Sequence, residues 1–183
     1  MGTKFSLETF IPGDVSLHDI AHSLSMSCRY GGHCREFYSV AEHSVILAEL
    51  ILEQYGDTRL AYNALMHDAT EAYVCDLPRP IKYKLLKDGI TWFQEAETQV
   101  WGIICQAFGT QFLDVDMDPR IKQADERIIR DERGQNMNPS TNHWATDELE
   151  PLGVVIECWS PSKAYVEFIR MEHKLQEMLR SAG

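Results

Sequence analysis

The chain has 183 residues, of which 44% are hydrophobic and 25% are charged. This composition is typical of a globular protein with one well-packed core, and it excludes disorder as the main state. The formal net charge of -11 argues against an extended nucleic-acid surface, which would need clustered Lys and Arg. We therefore expect a single domain over residues 1–183 that has no nucleic acid polymer as a partner.

Signals for membrane insertion and secretion are missing from the sequence. No stretch approaches the roughly 18 to 20 uncharged apolar residues that span a bilayer, and residues 1–5 lack the apolar segment of a secretion signal. The five cysteines contain no Cys-x-x-Cys pair, which fits neither a disulfide framework nor a structural zinc site. We expect a cytoplasmic protein with reduced cysteines and no membrane partner.

The helix signals begin near the N-terminus. Ser16 and Ser39 each open a capping-box pattern that leads into apolar residues at helical spacing. A third helix is predicted from Thr58 to about Tyr73. The segment Leu77-Pro78-Arg79-Pro80 is predicted to be a rigid loop, because neither proline tolerates an interior helical position.

The second half of the chain continues in the same way. A short helix is expected from Ile81 to Leu86 and a long amphipathic helix from Ile90 to Phe108. Asp118-Pro119 and Ser160-Pro161 each place an N-cap residue before a proline at the first helical position, which predicts helices to about Asn136 and Leu179.

The region between these last two helices is loop-like. Val154-Val155-Ile156 is too short to assign and would also suit a buried strand. Because helix signals cover most of the remaining chain, the predicted fold is an all-α, single-domain helical bundle. Its C-terminal loop and helix, residues 137–183, carry no motif that indicates a function.

Residues that suit a divalent metal ion lie on three of the predicted helices. His67 and Asp68 are adjacent, and adjacent helical side chains point about 100° apart, so that both can bind one ion from two sides. His43 and Asp125 would complete the set if their helices converge. Two imidazoles and two carboxylates leave coordination positions open, which suits a reactive Co, Mn, Fe, Zn or Mg ion rather than a closed structural site.

A second His-Asp pair shows that the dipeptide alone is not specific. His18-Asp19 is followed one turn later by His22, and these histidines suit a ligand pair as well as capping and surface roles. His67-Asp68 differs because mostly apolar residues precede it and because Glu71 follows one turn further on. Glu71 could accept a proton from a metal-activated water or bind a second ion.

The motifs together resemble the HD-domain metal phosphohydrolases, whose H…HD…D signature is matched by His43, His67-Asp68 and Asp125. The resemblance covers roughly residues 16–130. It is closer still to the bacterial 5'-deoxynucleotidases and to the small phage enzymes that hydrolyse dATP. The segments that carry this closer similarity are Ala41-Glu42-His43-Ser44, His67-Asp68-Ala69-Thr70-Glu71 and Asp76-Leu77-Pro78-Arg79-Pro80-Ile81-Lys82.

The resemblance implies a helical bundle of the HD-domain type that binds a divalent ion and hydrolyses deoxynucleoside 5'-phosphates. It also implies that the chains assemble into homodimers or rings. If the protein comes from a phage, its expected location is the cytoplasm of the host cell. Three positions depart from the family pattern: Ala41 replaces a serine, Cys75 replaces a glycine and Arg79 replaces a threonine. Arg79 could alter how phosphate is bound.

The same resemblance implies catalytic and substrate-binding roles. Glu71 is expected to be catalytic, and Asp76 is assigned as an assisting acid or base. Arg29 stands at the position of the family's substrate-binding arginine, and Tyr30 replaces a tryptophan, leaving a flat face on which a nucleobase could stack. Lys82 is predicted to be a second phosphate-binding cation, because negative charge on phosphoryl oxygens requires such groups.

These inferences predict a metal-dependent hydrolase of dNMP or dNTP, with a preference for adenine that rests on the resemblance. One alternative is a cyclic-nucleotide or alarmone phosphodiesterase, although no Glu-Asp pair occurs in residues 89–108, where alarmone hydrolases usually carry one. A metal-stabilised binding protein without turnover is a third hypothesis. Arg127, Arg130 and Arg133 suit a triphosphate site at a subunit boundary or a solvated helix face. Large apolar residues such as Trp92 favour a homo-oligomer.

Overall fold

The computed structural model describes residues 5–109, 113–114, 116–139 and 141–181. Within these ranges no β-strand is formed, apart from one isolated antiparallel bridge between Cys28 and Ser39, so the all-α prediction is confirmed. The start of the chain, part of which entered the secretion-signal prediction, lies outside the described residues at positions 1–4. The helices are α1 (Leu17–Met26), α2 (Val40–Tyr55), α3 (Thr58–Met66), α4 (Glu71–Val74), α5 (Arg79–Lys87), α6 (Trp92–Phe108), α7 (Pro119–Asn136) and α8 (Pro161–Ser181).

Four helices begin at the polar residue that the sequence indicates. The side chains of Ser16, Ser39, Asp57 and Asp118 accept hydrogen bonds from backbone N–H groups in the first turns of α1, α2, α3 and α7. Each bond satisfies one of the donors that a helix start leaves unpaired. Local side-chain chemistry therefore determines where these helices begin.

The third helix ends earlier than predicted. Regular α-helical structure stops at Met66, not near Tyr73, and the chain continues in turns with N–H to C=O bonds over three residues. Examples are the bonds from Ala69 to Met66 (2.9 Å) and from Glu71 to Asp68 (3.0 Å). His67 and Asp68 thus occupy a tightened turn between α3 and α4, which changes the direction of the chain at the residues predicted to bind metal.

The prediction of a rigid loop over residues 77–80 was wrong in its second half. Pro78 is the N-cap residue of α5, and Arg79 and Pro80 form the first turn of that helix. Proline is tolerated there because the first N–H groups of a helix have no partner within the helix. Residues 154–156 form no strand.

The core lies between α2, α3 and α8. Helix α2 packs along α3, while α8 packs against α1, α2 and α3. Buried Phe168 of α8 and Tyr62 of α3 are among the largest side chains in this core, and the Tyr62 hydroxyl donates a 2.8 Å hydrogen bond to Glu172. The C-terminal helix, which carries no functional motif, therefore supports the two helices that lead to His43 and His67.

No helix among the described residues combines the length and apolar character that crossing a bilayer requires. The cytoplasmic location remains a prediction.

Candidate metal centre

Three side chains from two neighbouring segments meet around one point. His43 comes from the first turns of α2, and His67 and Asp68 come from the tightened turn after α3. One ligand atom from each of the three lies within 4.8 Å of the others. Among the described residues this group could hold a metal ion, which confirms that part of the metal prediction.

Both imidazoles are held with Nε2 towards this point. Nδ1 of His43 donates a 2.8 Å hydrogen bond to Glu132, and Nδ1 of His67 donates a 2.7 Å bond to the carbonyl oxygen of Ala64. Because these Nδ1–H groups are used as donors, each Nε2 is left with a lone pair in the neutral ring. Hydrogen bonds of this kind orient histidine ligands in metal sites.

The two Nε2 atoms are buried and have no hydrogen-bond partner in the described part of the chain. The nearest carboxylate oxygens, from Asp125 for His43 and from Asp68 for His67, lie 3.2 Å away without hydrogen-bond geometry. Buried polar atoms are rarely left unsatisfied. The pair of unsatisfied nitrogens facing carboxylates fits a divalent cation, because imidazole and carboxylate are the ligands that such ions take from proteins.

Asp125 reaches the centre from α7. Its Oδ1 lies 3.2 Å from Nε2 of His43, while its Oδ2 accepts a 2.8 Å hydrogen bond from Arg79. Asp125 is not part of the three-residue group. It lies beside His43, and its second oxygen is bonded to the Arg79 side chain. His43, His67 and Asp68 thus form the group, and Asp125 lies next to it on α7.

Burial and neighbouring charges shift the pKa values of the candidate ligands. Burial raises the pKa of Asp68, but His67 and His43 outweigh burial and lower that pKa to about 2. Burial likewise opposes ionisation of Asp125, yet His43 and His67 hold its pKa well below the usual range. Burial lowers the pKa of His67, but Asp68 outweighs that effect and raises the pKa to about 9. The carboxylates are therefore ionised, as metal binding requires.

Arg29 lies next to the candidate ligands. Its Nη1 is 3.6 Å from Oδ2 of Asp68, and its Nη2 is 3.9 Å from Oδ1 of Asp125. This largely buried guanidinium also contacts Glu132, with Nε 3.2 Å from Oε1 and Nη2 3.3 Å from Oε2. The predicted phosphate-binding arginine is thus within reach of any group bound at the centre.

Tyr30 follows Arg29 in a short 3-10 turn. Its hydroxyl donates a hydrogen bond to Glu132, and its ring lies 6.3 Å from the Trp144 ring in an edge-on arrangement. The Arg29 guanidinium lies over the Tyr30 ring at 5.5 Å. The predicted role in stacking on a nucleobase is not tested by these contacts.

Glu132 is the residue that sequence reasoning missed. It is 1% exposed, and it binds His43, Arg29 and Tyr30 with one carboxylate. Burial raises its pKa, but Arg29 and the His43 hydrogen bond lower that pKa to about 2. A sequence signal does exist, because Glu132 follows Asp125 by two helical turns and the two side chains share a face of α7.

Glu71 is the first residue of α4, and Asp76 lies in the loop that follows this helix. Burial, with the nearby carboxylates Asp68 and Asp76, raises the pKa of Glu71 to about 9. Asp76 is exposed, and its Oδ1 lies 3.6 Å from Nζ of Lys82. The Glu71 carboxyl group thus lies close enough to Asp76 and to the candidate ligand Asp68 for both to disfavour its ionisation.

The two remaining predicted cations are both paired with acids. Lys82 donates a 2.9 Å hydrogen bond to Glu97 of α6, and Arg79 is bonded to Asp125. Arg79 therefore contacts a candidate ligand directly, and Lys82 lies beside the predicted catalytic residue Asp76.

The segment that carries Arg29 and Tyr30 is held by hydrogen bonds at both ends. The backbone of Arg29 donates a 2.9 Å bond to Tyr38, and the antiparallel bridge pairs Cys28 with Ser39. Glu36 is bound by the side chain of Asn136 at the end of α7, through its N–H and its carbonyl oxygen at 2.9 Å each. These bonds place Arg29 over α7 and beside His43.

The arginine row of α7 has a structural role in the described residues. Arg127 donates to the carbonyl oxygens of Glu150 and Pro151 at 2.9 and 3.1 Å, while Arg130 and Arg133 both contact Asp147. These partly exposed side chains hold residues 147–151 against α7. The solvated face and the triphosphate site both stay predictions.

The second His-Asp pair does not form a group of metal ligands in the described residues. Nδ1 of His18 is 2.7 Å from the Tyr165 hydroxyl, and His22 packs edge-on against the same ring. Asp19 donates its backbone N–H to Ser16 as part of the cap of α1. The capping and surface alternative is the one that these contacts support.

Comparison with known proteins finds relatives but no matching family model. The chain is 32% identical over 183 aligned residues to the uncharacterized protein YfdR of Escherichia coli (strain K12), covering 99% of this chain and 96% of that protein. It is also 38% identical over 87 residues to the uncharacterized protein RCAP_rcc00048 of Rhodobacter capsulatus, covering 44% of this chain and 43% of that protein.

Proposed function

The chain belongs to the same family as the Escherichia coli protein YfdR, and we propose that it is a metal-dependent phosphohydrolase that acts on deoxynucleoside 5'-phosphates. The observation that carries the proposal is the pair of buried Nε2 atoms, from His43 and His67, that face Asp68 and Asp125 without hydrogen-bond partners in the described residues. An arginine lies beside them. This combination suits a cation together with a phosphate group.

His43, His67, Asp68 and Asp125 are the residues that would hold the ion, which we propose to be Co, Mn, Mg or Zn. A divalent ion supplies two kinds of chemistry for phosphoester hydrolysis: it lowers the pKa of a water ligand from about 15.7 towards roughly 7, and it polarises a phosphoryl oxygen. A mixed set of nitrogen and oxygen ligands leaves positions open for water and substrate.

Arg29 is proposed to bind the phosphate. Its Nη1 lies 3.6 Å from Asp68, so a phosphoryl oxygen at the centre would be close to two N–H donors of one guanidinium. Arginine presents its donors in a planar fork that matches phosphate geometry. The charge that develops on phosphoryl oxygens during transfer is stabilised by such fixed cations.

Glu71 and Asp76 are proposed to move protons. The pKa of about 9 that burial, Asp68 and Asp76 impose on Glu71 describes a carboxyl group that takes up a proton readily. In the metal-free site this group holds its proton at neutral pH; its ionised form would accept a proton from water, and its protonated form would donate one to a leaving oxygen. Asp76, at the solvent side, would assist in the second of these transfers.

The nucleoside part of the substrate is proposed to lie against Tyr30. The ring belongs to a turn fastened to α7, and Trp144 lies edge-on to it at 6.3 Å. An aromatic ring with a second ring at its edge offers apolar surface against which a base could pack. Lys82 and Arg79, both near the metal ligand Asp125 or the carboxylate Asp76, are proposed to bind further phosphate oxygens.

The proposal is tested with a panel of all dNMPs and dNTPs. Metal-free protein is loaded in turn with Mn, Co, Mg or Zn, and chromatography separates nucleoside, phosphate, pyrophosphate and triphosphate as products. We expect turnover with at least one ion and its loss in His67→Ala, while His143→Ala, a change at an exposed loop histidine, keeps wild-type activity. If no nucleotide is hydrolysed with any of the four ions, the proposal is overturned.

A second copy of the chain is the proposed partner. Helix α5 and the start of α6 expose the apolar side chains of Ile81, Tyr83, Leu86 and Trp92. This part of the surface also carries Lys84 and Lys87, whereas the whole chain has a net charge of -11, so it is complementary in charge to the rest of another copy. Clusters of exposed apolar side chains mark protein contacts.

A further inference from the structure

Glu132 is a buried acid with partners on two sides. Its side chain is 1% exposed, and its two oxygens contact Nδ1 of His43, the guanidinium of Arg29 and the hydroxyl of Tyr30. A carboxylate withdrawn from water is retained only when its oxygens are satisfied by charged or hydrogen-bonding groups. Every one of these partners belongs to the candidate metal centre or to the candidate substrate-binding turn.

We propose that Glu132 is a positioning residue that couples the metal ligand His43 to the substrate-binding pair Arg29 and Tyr30. The substrate half of this inference rests on the proposed function, and the metal half stands on the histidine contact alone.

On the metal side, Glu132 determines which nitrogen of His43 is available. Oε1 accepts the Nδ1–H bond at 2.8 Å, so Nε2 is the atom that faces Asp68 and Asp125. A carboxylate partner also makes the imidazole a better electron donor to a cation. Without this acceptor the ring could rotate or change its tautomer, and the lone pair at Nε2 would be lost for part of the time.

On the substrate side, Glu132 binds one edge of the Arg29 guanidinium. Nη2 donates a 3.3 Å hydrogen bond to Oε2, and Nε lies 3.2 Å from Oε1 without hydrogen-bond geometry. Both contacts are on one side of the guanidinium and restrict its orientation. Nη1 is thereby turned towards Asp68 at 3.6 Å, where a phosphate would bind.

The backbone of Tyr30 supports the same interpretation. Its φ of 57° and ψ of 25° lie in the left-handed region, which residues with a side chain adopt uncommonly. Such a conformation persists where surrounding contacts hold it, and it occurs often at functional sites. The hydrogen bond from the Tyr30 hydroxyl to Glu132 is a contact of this kind.

One carboxylate therefore carries both sets of contacts, so a change at Glu132 must act on both. We expect Glu132→Gln to weaken Co²⁺ binding by about 10- to 100-fold, the range found when partners of metal-binding histidines are removed, and to change the visible absorption of bound Co²⁺. In Co²⁺-loaded protein the same variant should also bind dAMP more weakly and raise KM more than it lowers kcat. These readouts would not move if Glu132 served only the packing of α7.

Two variants separate the halves of the inference. Tyr30→Phe removes only the hydroxyl, so it should weaken dAMP binding and leave Co²⁺ affinity unchanged. Glu172→Gln is the matched control, since Glu172 is also 1% exposed and bonded to a tyrosine, namely Tyr62 of α3. It should lower thermal stability without altering Co²⁺ absorption or dAMP binding. Should Glu132→Gln fail to fold, Glu132→Asp keeps the charge but is too short for both sides, and the same weakening is expected.

Wild-type affinity and absorption for Co²⁺ in Glu132→Gln would overturn the metal half. Unchanged dAMP binding and KM in that variant would overturn the substrate half. Failure of the proposed function is a distinct result, because wild-type protein would then bind Co²⁺ but neither bind nor hydrolyse dAMP or any other nucleotide.

Discussion

The carboxylate of Glu42, one residue before the candidate metal ligand His43, accepts a 3.0 Å hydrogen bond from the backbone N–H of Cys158. The same carboxylate accepts from Glu157 at 2.9 Å and from Trp159 at 2.6 Å. Cys158 has a φ of 57°, and this left-handed residue turns successive N–H groups to one side, as in anion-binding nests. The predicted capping box is thus only half formed: Ser39 caps α2, while Glu42 fastens the chain that leads into α8.

Substitutions of Glu42 should destabilise the fold by an amount that depends on how many acceptor oxygens remain. Glu42→Ala leaves three N–H groups without their acceptor, and we expect a loss of about 3 kcal/mol in the free energy of unfolding. Glu42→Gln retains one acceptor oxygen and should lose less. Urea denaturation measures both, with Glu53→Gln, an exposed position on the same helix, as the control. An unchanged midpoint in Glu42→Ala would contradict this role.

Replacing Cys75 with glycine should stabilise the protein. Its φ of 64° and ψ of 166° lie in a region that is essentially restricted to glycine. We expect Cys75→Gly to raise the free energy of unfolding by about 1 kcal/mol, since relief of backbone strain exceeds the added chain entropy. Cys75→Ala removes the sulfur but keeps the strain, so it should give no gain. Equal effects of the two variants would refute the backbone explanation.

The metal-free protein should lose stability at alkaline pH through His67. Burial opposes protonation, but Asp68 raises the pKa to about 9, above the value of about 6.5 for an unfolded histidine. The stabilisation is therefore complete below about pH 6.5 and is lost as the pH rises through about 9. Urea midpoints measured in EDTA between these values should fall for wild-type protein and stay flatter for His67→Gln.

Binding of the ion should displace that proton. Calorimetric titration of Co²⁺ at pH 7.5, in buffers that differ in ionisation enthalpy, should show proton release, because a ligating imidazole must be neutral. Heats that do not depend on the buffer would mean that His67 is neutral before the ion binds.

Self-association should depend on the exposed apolar face of α5 and α6. We expect the double variant Tyr83→Asp and Trp92→Asp to sediment as a smaller species than wild-type protein in analytical ultracentrifugation, because charges would have to be buried in the contact. Val166→Asp, at an exposed position of α8, is the matched control and should sediment as wild type. A monomeric wild-type protein would refute the proposed partner.

Much of the fold could be predicted because its signals are local. The caps at Ser39 and Asp118 act within one turn of their own helix, and proline at the first helical position is compatible with its missing N–H. The two errors, at the end of α3 and the start of α5, both occur at helix ends. Periodicity reports only the middle of a helix and does not fix its first and last residues.

The sequence by itself determined the all-α class, the positions of most helices and the identity of the candidate ligands His43, His67 and Asp68. It did so because residue spacing along a helix directly decides which side chains share a face. Only the tertiary structure decided that the two Nε2 atoms meet without hydrogen-bond partners among the described residues. It also decided that Glu132 contacts both His43 and Arg29, from which it is separated by 89 and 103 positions. Such contacts arise from the packing of separate helices, so that spacing within α7 places Glu132 on the face of Asp125 but does not tell which residues of other segments it contacts.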